Sequence, residues 1–166
     1  MGSVSVFSPA QFVRAFARNA TIVQMQAKDL SHADSLIQTA YNVNCFNWVV
    51  GHLITGRDDL LRAVGGSAVW SLDTEERYRR ESDPIVEDGP GVLSFNDLLD
   101  ALAETQRRID QSVGELTEQQ MAVETLSGDK PVSLASQIRF FYFHDTYHTG
   151  QTEILRQFAG VNDRII

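Results

Sequence analysis

SLASQIRFFYFHDTYHTGQTEILRQFAG, running from Ser133 to Gly160, is the stretch on which the fold turns. Ser133 is a good helix start and Gly160 a good stop, so the segment reads as one long helix over 133–159. Inside it His144 and His148 are four residues apart. On a helix that spacing sets them about 40° apart around the axis and ~6 Å along it, so both imidazoles can reach one ion.

Three further helices precede it. Ser8-Pro9-Ala10-Gln11 combines a capping serine, a proline suited to the first turn and a glutamine able to complete a capping box. Phe12, Ala15, Phe16, Ile22, Val23, Met25 and Leu30 then recur at helical spacing, which predicts a helix over 9–30. After a polar connection from Ser31 to Tyr41, Asn42 or Asn44 can cap a second helix over 43–64, stopped by Gly65-Gly66. Residues 65–93 carry glycine, proline and charge without a sustained period and read as a long ordered crossover. Ser94-Phe95-Asn96-Asp97 opens a third helix over 95–114, and a short helical stretch around Thr117–Met121 and a turn at 127–131 lead into the last one. There is no convincing alternating strand pattern. The expectation is an all-α protein, a four-helix bundle with a long crossover between helices 2 and 3, as a single domain over 1–166; an irregular all-α array is the alternative.

Composition narrows the function. Fourteen Lys and Arg against 22 Asp and Glu leave a formal charge of -8 over 166 residues, so a nucleic-acid backbone would be repelled. No apolar run approaches the ~20 residues needed to cross a bilayer, and residues 1–6 lack the basic and apolar stretch of a secretory signal. Cys45 is the sole cysteine, so no internal disulfide can form. These features point to a cytoplasmic protein with no nucleic-acid or membrane partner. The sequon at Asn19 and the serine-x-x-lysine spacing of Ser127 and Lys130 carry no meaning in that setting.

His52 lies on the stripe of the second helix that holds Cys45, Val49 and Gly56, expected to face the bundle interior, where ligands from facing helices meet. His52, His144 and His148 could therefore form a three-histidine metal site. A hydrogen-bonded core histidine is the plainer reading for each alone, but three inward neutral imidazoles would each need a buried partner, at ~1–3 kcal/mol for every one left unsatisfied. Gln151 falls within about 20° of His144 two turns on, and Tyr147 flanks the pair by about 60°, so both are candidates to assist the site. Trp48 can wall the pocket or simply pack, and Asp59 can orient a polar network or face the pocket mouth. Cys45 is ~10.5 Å along the helix from His52, too far to share an ion with it. His32 falls in the polar connection and reads as exposed.

The text Asn47-Trp48, Gly51-His52-Leu53, followed by His144-Asp145-Thr146-Tyr147-His148-Thr149-Gly150-Gln151, resembles the DinB/YfiT-like superfamily over essentially the whole chain. The resemblance implies a four-helix bundle and a divalent metal, zinc or nickel, held by residues mapping onto His52, His144 and His148. It also implies a homodimer and, for some relatives, transfer of a low-molecular-weight thiol cosubstrate. Relatives often carry Glu where this chain has Asp145, so the acid reaches less far here.

Three protein ligands leave a position open, as in catalytic zinc sites, where a bound water or thiol is acidified. The function expected is therefore a metal-dependent enzyme acting on a small-molecule substrate, a thiol-dependent S-transferase or a hydrolase, with Asp145, Tyr147 and Gln151 as catalytic candidates. His144-Asp145-Thr146-Tyr147-His148 also imitates the HExxH helix of zinc peptidases, but no histidine follows His148. A non-catalytic bundle binding a metal or small ligand is the alternative of a different class.

Overall fold

Ser8 and Gln11 form the expected capping box, Gln11 N–H donating to Ser8 Oγ and Ser8 N–H to Gln11 Oε1 at 2.7 Å, and this starts α1, Pro9–Ala27. In the computed structural model, which describes residues 7–39, 43–163 and 165, six further helices follow: α2 (His32–Ser35), α3 (Phe46–Ala63), α4 (Leu72–Glu76), α5 (Phe95–Gly114), α6 (Glu118–Met121) and α7 (Leu134–Phe158). The protein is an all-α bundle of α1, α3, α5 and α7. Both α1 and α3 pack against α5 and α7, so α1 and α3 stand on one diagonal and α5 and α7 on the other.

Several local expectations are corrected. The first helix ends at Ala27 rather than 30, because Asp29 takes a left-handed conformation (φ 65°) that a short polar side chain tolerates. Arg156 of α7 then donates to the freed carbonyls of Gln26 and Lys28. Ser31 and Asp34 form a second capping box that starts the one-turn α2 inside the expected polar connection. The second long helix begins at Phe46, not 43: Cys45 is its N-cap and makes no side-chain capping bond, so Asn44 is not the cap, and Asn42 lies outside the described residues. A two-stranded antiparallel hairpin, β1 (Glu124–Ser127) with β2 (Lys130–Ser133), occupies the predicted turn region. Four-residue strands are too short for alternation to register in the sequence. The expected starts at Ser94 and Ser133 and the stop at Gly160 (φ 83°) are all present.

Two apolar clusters fill the bundle. One gathers Val23, Trp48, Leu53, Tyr78, Phe95 and Leu102; the other gathers Phe12, Phe16, Leu60, Ile109, Val113 and Ile138. A polar layer joins all four long helices. Arg57 of α3 donates through Nε and Nη2 to Asp145 of α7 at 2.7 and 3.1 Å, through Nη1 to Gln106 of α5, and through Nη2 to the Phe16 carbonyl of α1. Asn19 of α1 donates to the same Asp145 carboxylate at 2.9 Å. Arg57 and Asp145 are 2% and 1% exposed, so neither can turn to water.

The crossover is held along α3. Asp58 accepts from the Val69 and Trp70 amides at 2.7 and 2.9 Å, Asn47 donates to the Leu93 carbonyl, and Arg108 of α5 donates to the Ser67 carbonyl. Between these anchors α4 presents Glu75, fully buried, to Arg62 and Arg79. Among the described residues, no helix is long and apolar enough to cross a membrane.

Removing one partner of a buried pair strands the other, so Arg57→Ala and Asp145→Ala should each lower the free energy of unfolding by roughly 3–5 kcal/mol. Urea unfolding checks this, and replacing both at once, Arg57→Met with Asp145→Leu, should recover a large part of the loss.

Candidate metal centre

α3 carries two glycines within its helical stretch, each of which costs roughly 1 kcal/mol relative to alanine, so each signals a close approach. A Cβ on Gly51 would fall 2.0 Å from the Tyr78 ring, and one on Gly56 would fall 2.8 Å from Nδ1 of His144. Gly51 thus lets the crossover lie against α3, and Gly56 lets His144 of α7 seat against it.

The close approach of Tyr78 has a direct effect on His52. Nδ1 of His52 lies 2.8 Å from the Tyr78 carbonyl oxygen, which can only accept, so Nδ1 carries the proton and Nε2 keeps its lone pair. The Tyr78 hydroxyl donates to Asn47 Oδ1 and accepts from the Leu93 amide at 2.7 Å, which fixes the segment supplying that carbonyl. Trp48 stacks on the His52 ring with centroids 4.6 Å apart and donates to Ser82, so it both packs in the core and pins the imidazole.

On α7 the same logic applies to His148, whose Nδ1 donates to Gln151 Oε1 at 2.6 Å and leaves Nε2 free. Nε2 of His144 lies 3.0 Å from Nε2 of His52. One ring nitrogen from each of His52, His144 and His148 lies within 4.8 Å of the others, so the three could hold a metal ion. The donor set fits a divalent cation: two lone pairs are fixed by second hydrogen bonds, the arrangement found around histidine-ligated zinc.

Electrostatics keeps these rings in the ligand form. Burial is the main cause that pushes the His52 pKa down to about 4, with His148, His144 and Arg79 acting in the same direction and the Tyr78 carbonyl opposing. Burial likewise lowers His144 and His148. A cavity of about 240 Å³ opens beside the rings, lined by His52, Thr55, Gly56, Asp59, Arg79, Arg80, Phe140, Phe141 and His144.

The other residues singled out from the sequence fall in distinct places. Asp145 is not brought to the three rings: among the described residues the cluster is histidine alone, and both Asp145 oxygens face Arg57 and Asn19. Gln151 is brought to His148, and Tyr147, 59% exposed, packs edge-on against the His148 ring at 5.1 Å. Asp59 lines the cavity and pairs with Arg62 at 2.9 Å. Cys45 is buried, which pushes its thiol pKa up. His32 is half-buried rather than exposed and accepts from the Phe95 amide at the start of α5. Tyr78 and Arg57 escaped the sequence reading, and Gly56 was read as part of the inward stripe but not as the place where His144 seats.

His52 titrates near 6.5 when unfolded and near 4 when folded. Between those values the unfolded chain binds the proton and the folded chain does not, so the metal-free protein loses stability as pH falls through that window. The slope from His52 alone is about 1.4 kcal/mol per pH unit. Urea unfolding of chelator-treated protein should show this slope flattened in His52→Gln; equal slopes would contradict the assignment.

Residues 15–152 match the DinB superfamily. The fold is similar to the crystal structure of a conserved protein from Enterococcus faecalis, with a TM-score of 0.71 at 16% identity over 89% of this chain and 94% of that one. The sequence matches none of the curated proteins with which it was compared. The matched span takes in α3 with its histidine and both histidines of α7, and on that span the chain belongs to the DinB superfamily.

Proposed function

We propose that this protein is a metal-dependent enzyme in which His52, His144 and His148 hold one zinc or nickel ion beside a small-molecule pocket, and that it transfers a low-molecular-weight thiol. The observation that carries this reading is the convergence of three ring nitrogens within 4.8 Å at the edge of a cavity of about 240 Å³. A divalent ion there supplies one kind of chemistry, a lowered pKa for a thiol or water at its open position.

The state of the nearby acids favours transfer over hydrolysis. A peptidase-like hydrolase needs a free carboxylate beside the ion as general base. Asp145 is spent on Arg57 and Asn19, and Asp59 is engaged by Arg62 and Arg79. Thiol transfer requires no such base, because a thiol deprotonates near neutrality once its anion is stabilised. In this reading Gln151 is a positioning residue that holds the His148 proton on Nδ1, Asp145 positions α7 through Arg57, and Tyr147, against the His148 ring, is the candidate proton donor.

The same reading places the protein in the cytoplasm as a homodimer. Support for the dimer comes from α7, whose outer face exposes Phe140, Phe143, Tyr147, Ile154 and Phe158 along its length. An apolar stripe of that size is characteristic of an interaction surface.

Protein prepared without a nickel-leaching resin should carry about one divalent ion per chain by elemental analysis, as a single three-histidine site requires. His144→Ala and His148→Ala should each lose it, and retention in both would overturn the site. The metal-loaded chain should also speed conjugation of a chloronitrobenzene to one of a panel of cellular thiols, with the rate abolished by chelation. Stoichiometric metal with no turnover for any thiol would instead favour a non-catalytic binding protein.

A further inference from the structure

Three imidazoles are neutral ligands, and among the described residues no carboxylate joins them. A divalent ion held this way keeps its full charge toward the pocket. The pocket wall adds to that field. Arg62 and Arg79 are matched by Asp59 and the buried Glu75, which lie between them. Among the described residues Arg80 has no comparable match: Glu81 stands 4.0 Å away at the limit of an ion pair, and the two side chains are 89% and 85% exposed. Arg80 nevertheless lines the cavity together with Arg79.

The lining also has an apolar part. Phe140 and Phe141 supply it with ring centroids 5.8 Å apart, and Gly56 adds no side chain to the lining. At about 240 Å³ the cavity is smaller than the roughly 300–1,000 Å³ usual for drug-sized ligands. Arginines and aromatic rings in one lining, together with a small volume, define a ligand type.

We infer that the pocket takes a small organic carboxylate with an apolar body, its charge read by Arg80 beside Arg79 and its body set against Phe140 and Phe141. This rests on the proposed metal site for part of the field and on the arginine wall for the rest. The carboxylate belongs to one of the two reactants, the acceptor substrate or the thiol.

Calorimetric titration of the zinc-loaded protein with 3-phenylpropionate and with its neutral amide tests the inference, with zinc content measured on each sample. The acid should bind about tenfold tighter, the scale expected for a hydrogen-bonded charge. Arg80→Ala, a change at an exposed side chain, should remove most of that preference while zinc content stays the same. A second pair, 3-mercaptopropionate and 1-propanethiol, shows which reactant carries the charge: a preference confined to this pair assigns the carboxylate to the thiol. No preference in either pair, or a preference untouched by Arg80→Ala, overturns the inference. A chain that binds no zinc yet prefers the acid supports the arginine wall and overturns the metal site, whereas a chain that holds zinc without preference does the reverse.

Discussion

The buried ion pair between Arg57 and Asp145 is the constraint from which the rest of the structure follows. Both groups are removed from water, and among the described residues they are hydrogen-bonded to each other, to Asn19 and Gln106 and to the Phe16 carbonyl. Taking such charges out of water is costly, so the arrangement tolerates little displacement. It also sets the rotation of α7. His144 and His148 lie about 100° and 60° around the helix from Asp145, so aiming the acid at Arg57 swings both imidazoles toward α3 and His52. The residue that resembles the acid of a peptidase helix is here the bolt that orients the two histidines of α7.

That bolt gives α7 an unusual character. From Asp145 to Arg156 its buried residues are Asp145, Thr149, Thr152 and Arg156 with the single apolar Leu155, while aromatic rings occupy its outward face. Hydrophobic burial therefore contributes little to seating α7 along this part of the bundle, and hydrogen bonding does more of the work: Arg156 closes the end of α1 as Arg57 closes the middle. The crossover supplies the remaining piece. By lying on Gly51 it brings a backbone carbonyl to His52, so the three-histidine cluster, the candidate metal centre, is built from α3, α7 and a segment outside the four long helices.

Much of this was legible from residue order. The four-residue spacing of His144 and His148 is a local fact of helix geometry, and the placement of His52 followed from its stripe on α3. The capped starts at Ser8, Ser94 and Ser133 were readable because a cap and its partner lie three residues apart. What escaped depends on partners distant in sequence. Arg57 and Asp145 are separated by 88 residues, so nothing local showed that this acid pairs with an arginine. Tyr78 acts through its carbonyl, which every residue possesses. The hairpin strands were too short for their period to show, and Cys45 begins α3 through burial rather than through a capping side chain.

Crystallography of the zinc-loaded protein, with anomalous scattering recorded at the zinc edge, tests the central claim most directly. One strong peak per chain should appear about 2.0–2.1 Å from a ring nitrogen of each of His52, His144 and His148, with Asp145 still paired to Arg57. A peak bound by fewer than three of these histidines, or one that draws Asp145 away from Arg57 to serve as a ligand, would contradict it.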